Sequence, residues 1–224
     1  MTFSIVARCA RTGQFGLAVA SSSPAVASRC AFARAGVGAV ATQNITDPTL
    51  GPRGLDLLER GASAGECVAI LTRSRLAAYR QLSVIDVTGD TDVWSGAQTL
   101  GIHGSAKGHN VACAGNLLAV ADVPVAMREA FAGGDAGQEL GQRLLEAMQA
   151  GLAAGGEAGP IRSAGLLVVD AHAWPLTDLR VDWDERPIDR LQALWSLWVP
   201  QARDYTLRAI DPATSPSYGV PGDE

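Results

Sequence analysis

The first 23 residues constrain the fold more than any other stretch. Phe3, Ile5 and Ala7 alternate with Ser4, Val6 and Arg8, the period of two that sends successive side chains to opposite faces of a β-strand. A polar turn, Arg11-Thr12-Gly13-Gln14, leads into Phe15 to Ala20, which reads as a second strand. The chain therefore opens on a β-hairpin, and its first residues are held at a sheet edge. Ser21-Ser22-Ser23-Pro24 breaks the pattern.

Gly36 to Thr42 reads as a third strand whose glycines suit close backbone approach. Pro52, Leu55, Leu57, Leu58 and Ala62 then fall at helical spacing. A further helix is expected from Ser63, an N-cap with Glu66 three residues on, to about Arg73. Gln81 to Val87 and Asp92 to Ser95 form a hairpin around Gly89-Asp90, and Asn110 to Ala114 is a strand ending at Gly115-Asn116. Two helices, 123–131 and 138–150, precede a Gly/Ala-rich loop at 151–160. Ala164 to Asp170 is a nearly continuous apolar strand, of the kind buried on both faces, and Leu176 to Trp183 alternates beside it. From Arg186, the residues Ile188, Leu191, Leu194, Trp195, Trp198, Val199 and Ala202 make a helical stripe that Pro200 should kink or split. An extended tail follows from Asp211. Strands and helices arrive in blocks, without the strict alternation of a parallel doubly wound sheet. This order predicts an α+β chain with two antiparallel sheets face to face and helices outside, divided into a main domain, 1–185, and a helical tail, 186–224.

Composition narrows the function. With 47% hydrophobic residues in 224, the chain is expected to pack a real core. No apolar run approaches the roughly 20 residues of a membrane span, and MTFSIVARCARTG lacks the basic start and apolar stretch of a secretory signal. No membrane partner and a cytoplasmic location are the expectations. The net charge is −5 and Lys107 is the single lysine, so the clustered cations that nucleic acid requires are missing. Four cysteines and three histidines are dispersed without a close ligand pair, which argues against a metal site and for buried thiols. No cofactor is implied.

Chemistry points to the start of the chain. Methionine aminopeptidase removes Met1 when the second residue is small, and this would leave Thr2 with both a hydroxyl and a free α-amine. That amine titrates near ~7.7–8.0 in reference peptides, so it can take the hydroxyl proton near neutral pH. The serines at 21–23 return beside Thr2 at the far end of the hairpin.

The segments TFSIVAR, FGLAVASSSPAV, AGVGAVATQN and GPRGLDLLERG, then Gly115 to Leu118, SAGLLVVD and DLRVD, span nearly the whole chain. Together they resemble the bacterial family known as domain of unknown function 1028. The resemblance implies a four-layer αββα sandwich of the N-terminal-nucleophile (Ntn) hydrolase kind, with the first residue at a cleft mouth. Thr2 would then attack a carbonyl, Ser22 or a neighbouring serine would hold its amine, and Asn116 would donate to the oxyanion or simply serve as a left-handed turn residue. Gln43 and Asn44 either position substrate or cap the strand end. Arg53, Arg162 and Ser163 are further substrate-binding candidates. One departure is Ala7-Arg8-Cys9, where family members commonly carry an acid after the arginine. The segment Leu194 to Tyr205 resembles a peptidoglycan-binding-like tail module, although its tryptophans are expected to pack on the main domain or on a second subunit of a dimer. The leading expectation is an amidohydrolase acting on an amide or ureide bond of a small metabolite. The rivals are a catalytically silent ligand-binding protein and a cell-wall-associated one.

Overall fold

Strand periodicity at the chain start organises everything that follows in the computed structural model, which describes residues 1–223. Strands β1 (Thr2–Arg8) and β2 (Phe15–Ser21) pair antiparallel with Phe3 opposite Ala20 and Arg8 opposite Phe15. The chain then makes a short helix, α1 (Ala27–Cys30), and four strands: β3 (Ala31–Arg34), β4 (Gly38–Asn44), β5 (Arg80–Asp86) and β6 (Thr91–Ser95). Helices α2 (Leu50–Glu59) and α3 (Ala64–Leu71) lie between β4 and β5 in sequence. Strands β7 (Gly104–Gly108) and β8 (Val111–Asn116) return to the first sheet. They are followed by helices α4 (Val123–Gly133) and α5 (Leu140–Ala153), strands β9 (Ser163–Val169) and β10 (Thr177–Val181), and helices α6 (Pro187–Trp198) and α7 (Ala202–Ile210).

Two antiparallel sheets result, a six-stranded one in the order β10-β9-β2-β1-β8-β7 and a four-stranded one in the order β3-β4-β5-β6. The face of β1 that carries Phe3, Ile5 and Ala7 meets Met127, Leu144 and Met148 of α4 and α5, and the same cluster extends to Ile188, Leu191 and Trp195 of α6, which packs on α5, β9 and β10. The opposite face of the same strand puts Val6 among Leu17, Ala39, Ile85 and Val169, between the two sheets. A third cluster joins Leu55, Leu58, Cys67 and Leu71 of α2 and α3 to Val40, Leu82 and Val84 of the four-stranded sheet. Strand β1 is therefore buried on both faces along Thr2 to Ala7, and its one charged residue, Arg8, stands at the half-buried end.

Ser63 and Glu66 form the expected capping box of α3: the Ser63 hydroxyl accepts the Glu66 N–H, and the Glu66 carboxylate accepts the Ser63 N–H at 2.9 Å. Pro200 falls between α6 and α7, as its ring predicts. Strands β3 and β7 escaped the sequence reading. Strand β7 (GSAKG) is an edge strand without apolar alternation, and its Lys107 meets Asp92 of β6 at 2.6 Å. Among the described residues no helix is long and apolar enough to cross a membrane. The expected tail, 186–224, ends in a residue outside the described ones, and its helix α6 shares the core of the six-stranded sheet. Trp195 is 6% exposed, and the Trp198 indole N–H donates to the Thr177 hydroxyl at 3.0 Å.

Trp195 reaches the core only because residue 141 on α5 is glycine. A Cβ at that position would sit 2.5 Å from the Trp195 ring. Gly141→Ala gains up to about 1 kcal/mol of helix propensity but forces a rigid ring out of place, at about 1–3 kcal/mol. A lowered urea midpoint is expected. Gly65→Ala, on α3 with open space around it, is the control and should leave the midpoint unchanged or raise it.

Candidate active site

The space between the sheets is apolar at one end and polar at the other, and the strand sequences encode this gradient. The inward positions of β1 run Thr2, Ser4, Val6; those of β8 run Ala112, Ala114, Asn116; those of β4 run Ala39, Ala41, Gln43; and those of β5 run Gln81, Ser83, Ile85. Antiparallel pairing sets Thr2 opposite Asn116 and Gln43 opposite Gln81, so the polar ends coincide. Thr2, Ser4, Gln43, Gln81 and Asn116 are all buried, and buried polar groups persist only when they are hydrogen-bonded. The Ser4 hydroxyl donates to Gln43 Oε1 at 2.7 Å, and Gln43 Nε2 donates to Gln81 Oε1 at 2.7 Å. Asn116 Nδ2 donates to that same oxygen at 3.1 Å, and Gln81 Nε2 donates to the Ser95 hydroxyl and the Gly115 carbonyl, both at 3.0 Å. Three of these bonds cross from one sheet to the other.

Thr2 lies at the rim of this network. Its hydroxyl donates to the Met1 carbonyl and stands 3.4 Å from the Ser21 hydroxyl. Ser21 Oγ also donates to the Met1 carbonyl, at 2.5 Å, and is 2.8 Å from Ser23 Oγ. A serine has a single hydroxyl proton. Since Ser21 directs its own at Met1, Ser23 donates to Ser21, and Ser23 Oγ accepts from Arg29 Nη2 at 2.6 Å. The Met1–Thr2 peptide is thus held by a chain of donors that starts at a guanidinium.

The loop after α5 supplies a carboxyl group. Glu157 is 6% exposed; its Oε2 accepts the Ser22 N–H at 3.1 Å, while Oε1 is buried without a hydrogen-bond partner. Burial raises its pKa from 4.5 to about 7, against the opposing pull of the Met1 ammonium and of the Ser22 N–H and hydroxyl. Gly155 and Gly156 bend the loop with positive φ, and an antiparallel bridge pairs Glu157 with Leu118. Glu157 lines a cavity of about 240 Å3 with Leu152, Gly159, Ile161 and Ile188.

Of the residues singled out from sequence, Thr2, Asn116 and Gln43 share the polar end between the sheets. Ser22 gives its N–H to Glu157; the hydroxyl facing Thr2 is that of its neighbour Ser21. Asn116 itself has extended geometry, and the left-handed residue of that turn is Leu117, φ 51°. The second proton of Asn116 Nδ2 is uncommitted, and its Oδ1 is buried without a partner. Asn44 takes the left-handed conformation, φ 70°, and ties Tyr79 to Leu100 through its amide. Arg53 is exposed on the first turn of α2. The Arg162 guanidinium stacks over Trp183, 5.8 Å from the ring centre, and the Ser163 hydroxyl bonds Ser23 O and Val26 N. Ser4, Gln81 and Glu157 were not foreseen, while Ser21 is the neighbour of Ser22 that the sequence left open. Glu157 had one signal: it is the single charged residue from Ala147 to Ile161.

Glu157 makes stability depend on pH with a definite sign. Between pH 4.5 and about 7 the folded chain holds a proton that the unfolded chain has lost, so stability falls as pH rises through that window. Glu157→Gln removes the effect. Relative to wild type, the variant should gain up to about 3 kcal/mol at pH 8 and nothing at pH 4, as read by urea denaturation at both values.

Comparison with known proteins completes the description. The model for the family of unknown function DUF1028 matches residues 2–191. The crystal structure of protein SPO2555 from Silicibacter pomeroyi, described as a DUF1028 protein, superposes with a TM-score of 0.83 at 30% sequence identity, covering 91% of this chain and 90% of that one. The ancestral β-subunit Anbu from Yersinia bercovieri aligns over 89% of this chain and 95% of its own at 13% identity, with a TM-score of 0.37, too low to carry an argument. None of the curated proteins matches. On its family match and on the similarity to SPO2555, the chain belongs to the DUF1028 family.

Proposed function

We propose that this protein is an N-terminal-nucleophile amidohydrolase, built as a four-layer αββα sandwich, in which removal of Met1 turns Thr2 into nucleophile and base at once. One observation carries the reading. A carbonyl attached at Thr2 already lies against the Thr2 and Ser21 hydroxyls, at the polar end of an otherwise apolar space between sheets. An ordinary strand start needs no such arrangement.

In the proposed cycle the Thr2 α-amine takes the proton from Oγ1 as that oxygen attacks the amide carbonyl of a small substrate. The developing oxyanion receives the uncommitted Asn116 Nδ2 proton, while Gln81 keeps the Asn116 amide plane in place through the other one. Collapse of the tetrahedral intermediate breaks the C–N bond, and the α-ammonium returns its proton to the departing amine. A water, deprotonated by the same α-amine, then hydrolyses the Thr2 ester to give a carboxylic acid and free enzyme. Ser21 holds the α-amine; this role passes to it from Ser22 because Ser21 shares Thr2's face of the sheet. Gln43 supports Ser4 and Gln81 and acts behind the site. Arg53, Arg162 and Ser163 lie outside this proposed machinery, since their side chains are solvated or committed elsewhere.

Intact mass spectrometry of the purified protein, paired with ammonia release from a panel of small amides and ureides, tests the reading. Protein that starts at Thr2 and turns over a panel member is expected. Thr2→Ala should lose at least about a thousandfold in kcat, and Thr2→Ser should retain measurable turnover. Asn116→Ala should cost about a hundredfold in kcat, near 3 kcal/mol. Full activity in protein that retains Met1 would overturn the proposal.

A further inference from the structure

The carboxyl group of Glu157 is used by no step above, yet it is the group placed most expensively. A buried carboxylate oxygen without a donor is costly, and Glu157 Oε1 is such an oxygen. The Glu157 residue, with this oxygen buried, forms part of the wall of the cavity lined by Leu152, Gly159, Pro160, Ile161 and Ile188. The charged residues on the same wall are Glu185, Arg186 and Asp189, and the Arg186 guanidinium is turned onto Asp189 at 2.7 Å. No lining cation answers Glu157. The remainder of the wall is apolar.

Met1 shows what reaches this place. Its carbonyl is the one that the Thr2 and Ser21 hydroxyls hold. Its thioether rests on Gly159, with the methyl carbon 3.1 Å from the position of the Cβ that residue 159 lacks. Its ammonium is the cation that acts on Glu157. An acyl group at Thr2 therefore has its carbonyl on the nucleophile, its side chain on an apolar glycine-floored wall, and its α-substituent within the electrostatic reach of a carboxyl group whose Oε1 lacks a donor.

We propose that the cavity bordered by Glu157 and Gly159 is the acyl subsite of Thr2, that it takes α-amino acid amides with apolar side chains, and that Glu157 binds their α-ammonium. This deepens the hydrolase reading and rests on it. Glu157 confers specificity here and takes no part in bond breaking.

The test uses protein confirmed by mass to start at residue 2, with three amides at pH 7: L-leucinamide, its des-amino analogue 4-methylpentanamide, and the monoamide of glutaric acid. Ammonia release should give a kcat/KM for L-leucinamide at least ten times that for 4-methylpentanamide, with the anionic amide poorest. In Glu157→Gln the ratio of the first two should fall close to one. Binding of L-leucinamide and 4-methylpentanamide to Thr2→Ala, followed by ligand-detected NMR, gives a readout without turnover. Selective binding of L-leucinamide there, without hydrolysis by wild type, would uphold the subsite and sink the hydrolase reading. Equal turnover of the two amides, binding of neither, or an unchanged preference in a folded Glu157→Gln protein would each overturn the subsite.

Discussion

Gln81 accepts two hydrogen bonds and donates two more in a place that water does not reach. Its partners are Gln43 on the neighbouring strand, Asn116 and Gly115 in the opposite sheet, and Ser95 at the edge. Each bond is worth about 0.5–1.5 kcal/mol net, whereas an orphaned buried amide costs about 1–3. The network therefore acts less as a source of stability than as a restriction on geometry. The sheets can approach at this end only in the arrangement that satisfies every amide. Strand pairing sets Asn116 opposite Thr2 and the network holds its amide in place, and all of the chemistry proposed for Thr2 depends on that placement.

Polarity at one end of the space between sheets would be a liability in a purely structural sandwich. Apolar residues of similar volume at Ser4, Gln43 and Gln81 would pack the sheets without the requirement for matched donors and acceptors. Glu157 adds a second uncompensated cost, on the loop that covers the chain start. Such costs accumulate where a protein binds or transforms something. Here they fall within one region that also contains the Met1–Thr2 peptide, the serine chain anchored by Arg29, and the cavity behind Gly159. The helices and the rest of the core serve to hold this region still. Helices α4 and α5 clamp the outer face of β1, so the residue at its start has little freedom.

Much of the framework was legible from residues alone because it rests on local rules. The alternation at 3–8, the capping box at Ser63 and Glu66, and the interruption at Pro200 each act within a few residues. Strands β3 and β7 were missed because AFAR and GSAKG are too short or too poor in apolar residues to show a period; pairing partners decide them. Thr2, Gln43 and Asn116 could be singled out as polar residues at strand ends. Ser4 and Gln81 could not, since an inward serine or glutamine looks like a solvent-facing one until the second sheet is in place.

The choice among three consecutive serines shows where the sequence stops. Successive strand residues face opposite ways, so a shift of one decides which hydroxyl meets Thr2. The pairing of Phe3 with Ala20 puts Ser21 on the same side of the sheet as Thr2, and Ser22 on the other. Glu157 is a stronger case, because the loop that buries it brings together residues more than 130 positions apart. By itself the sequence determined most of the segments that become strands and helices, since period, capping and turn chemistry operate locally. Only the tertiary structure decided which polar side chains lose their water and face one another, because burial and register belong to the assembled sheets.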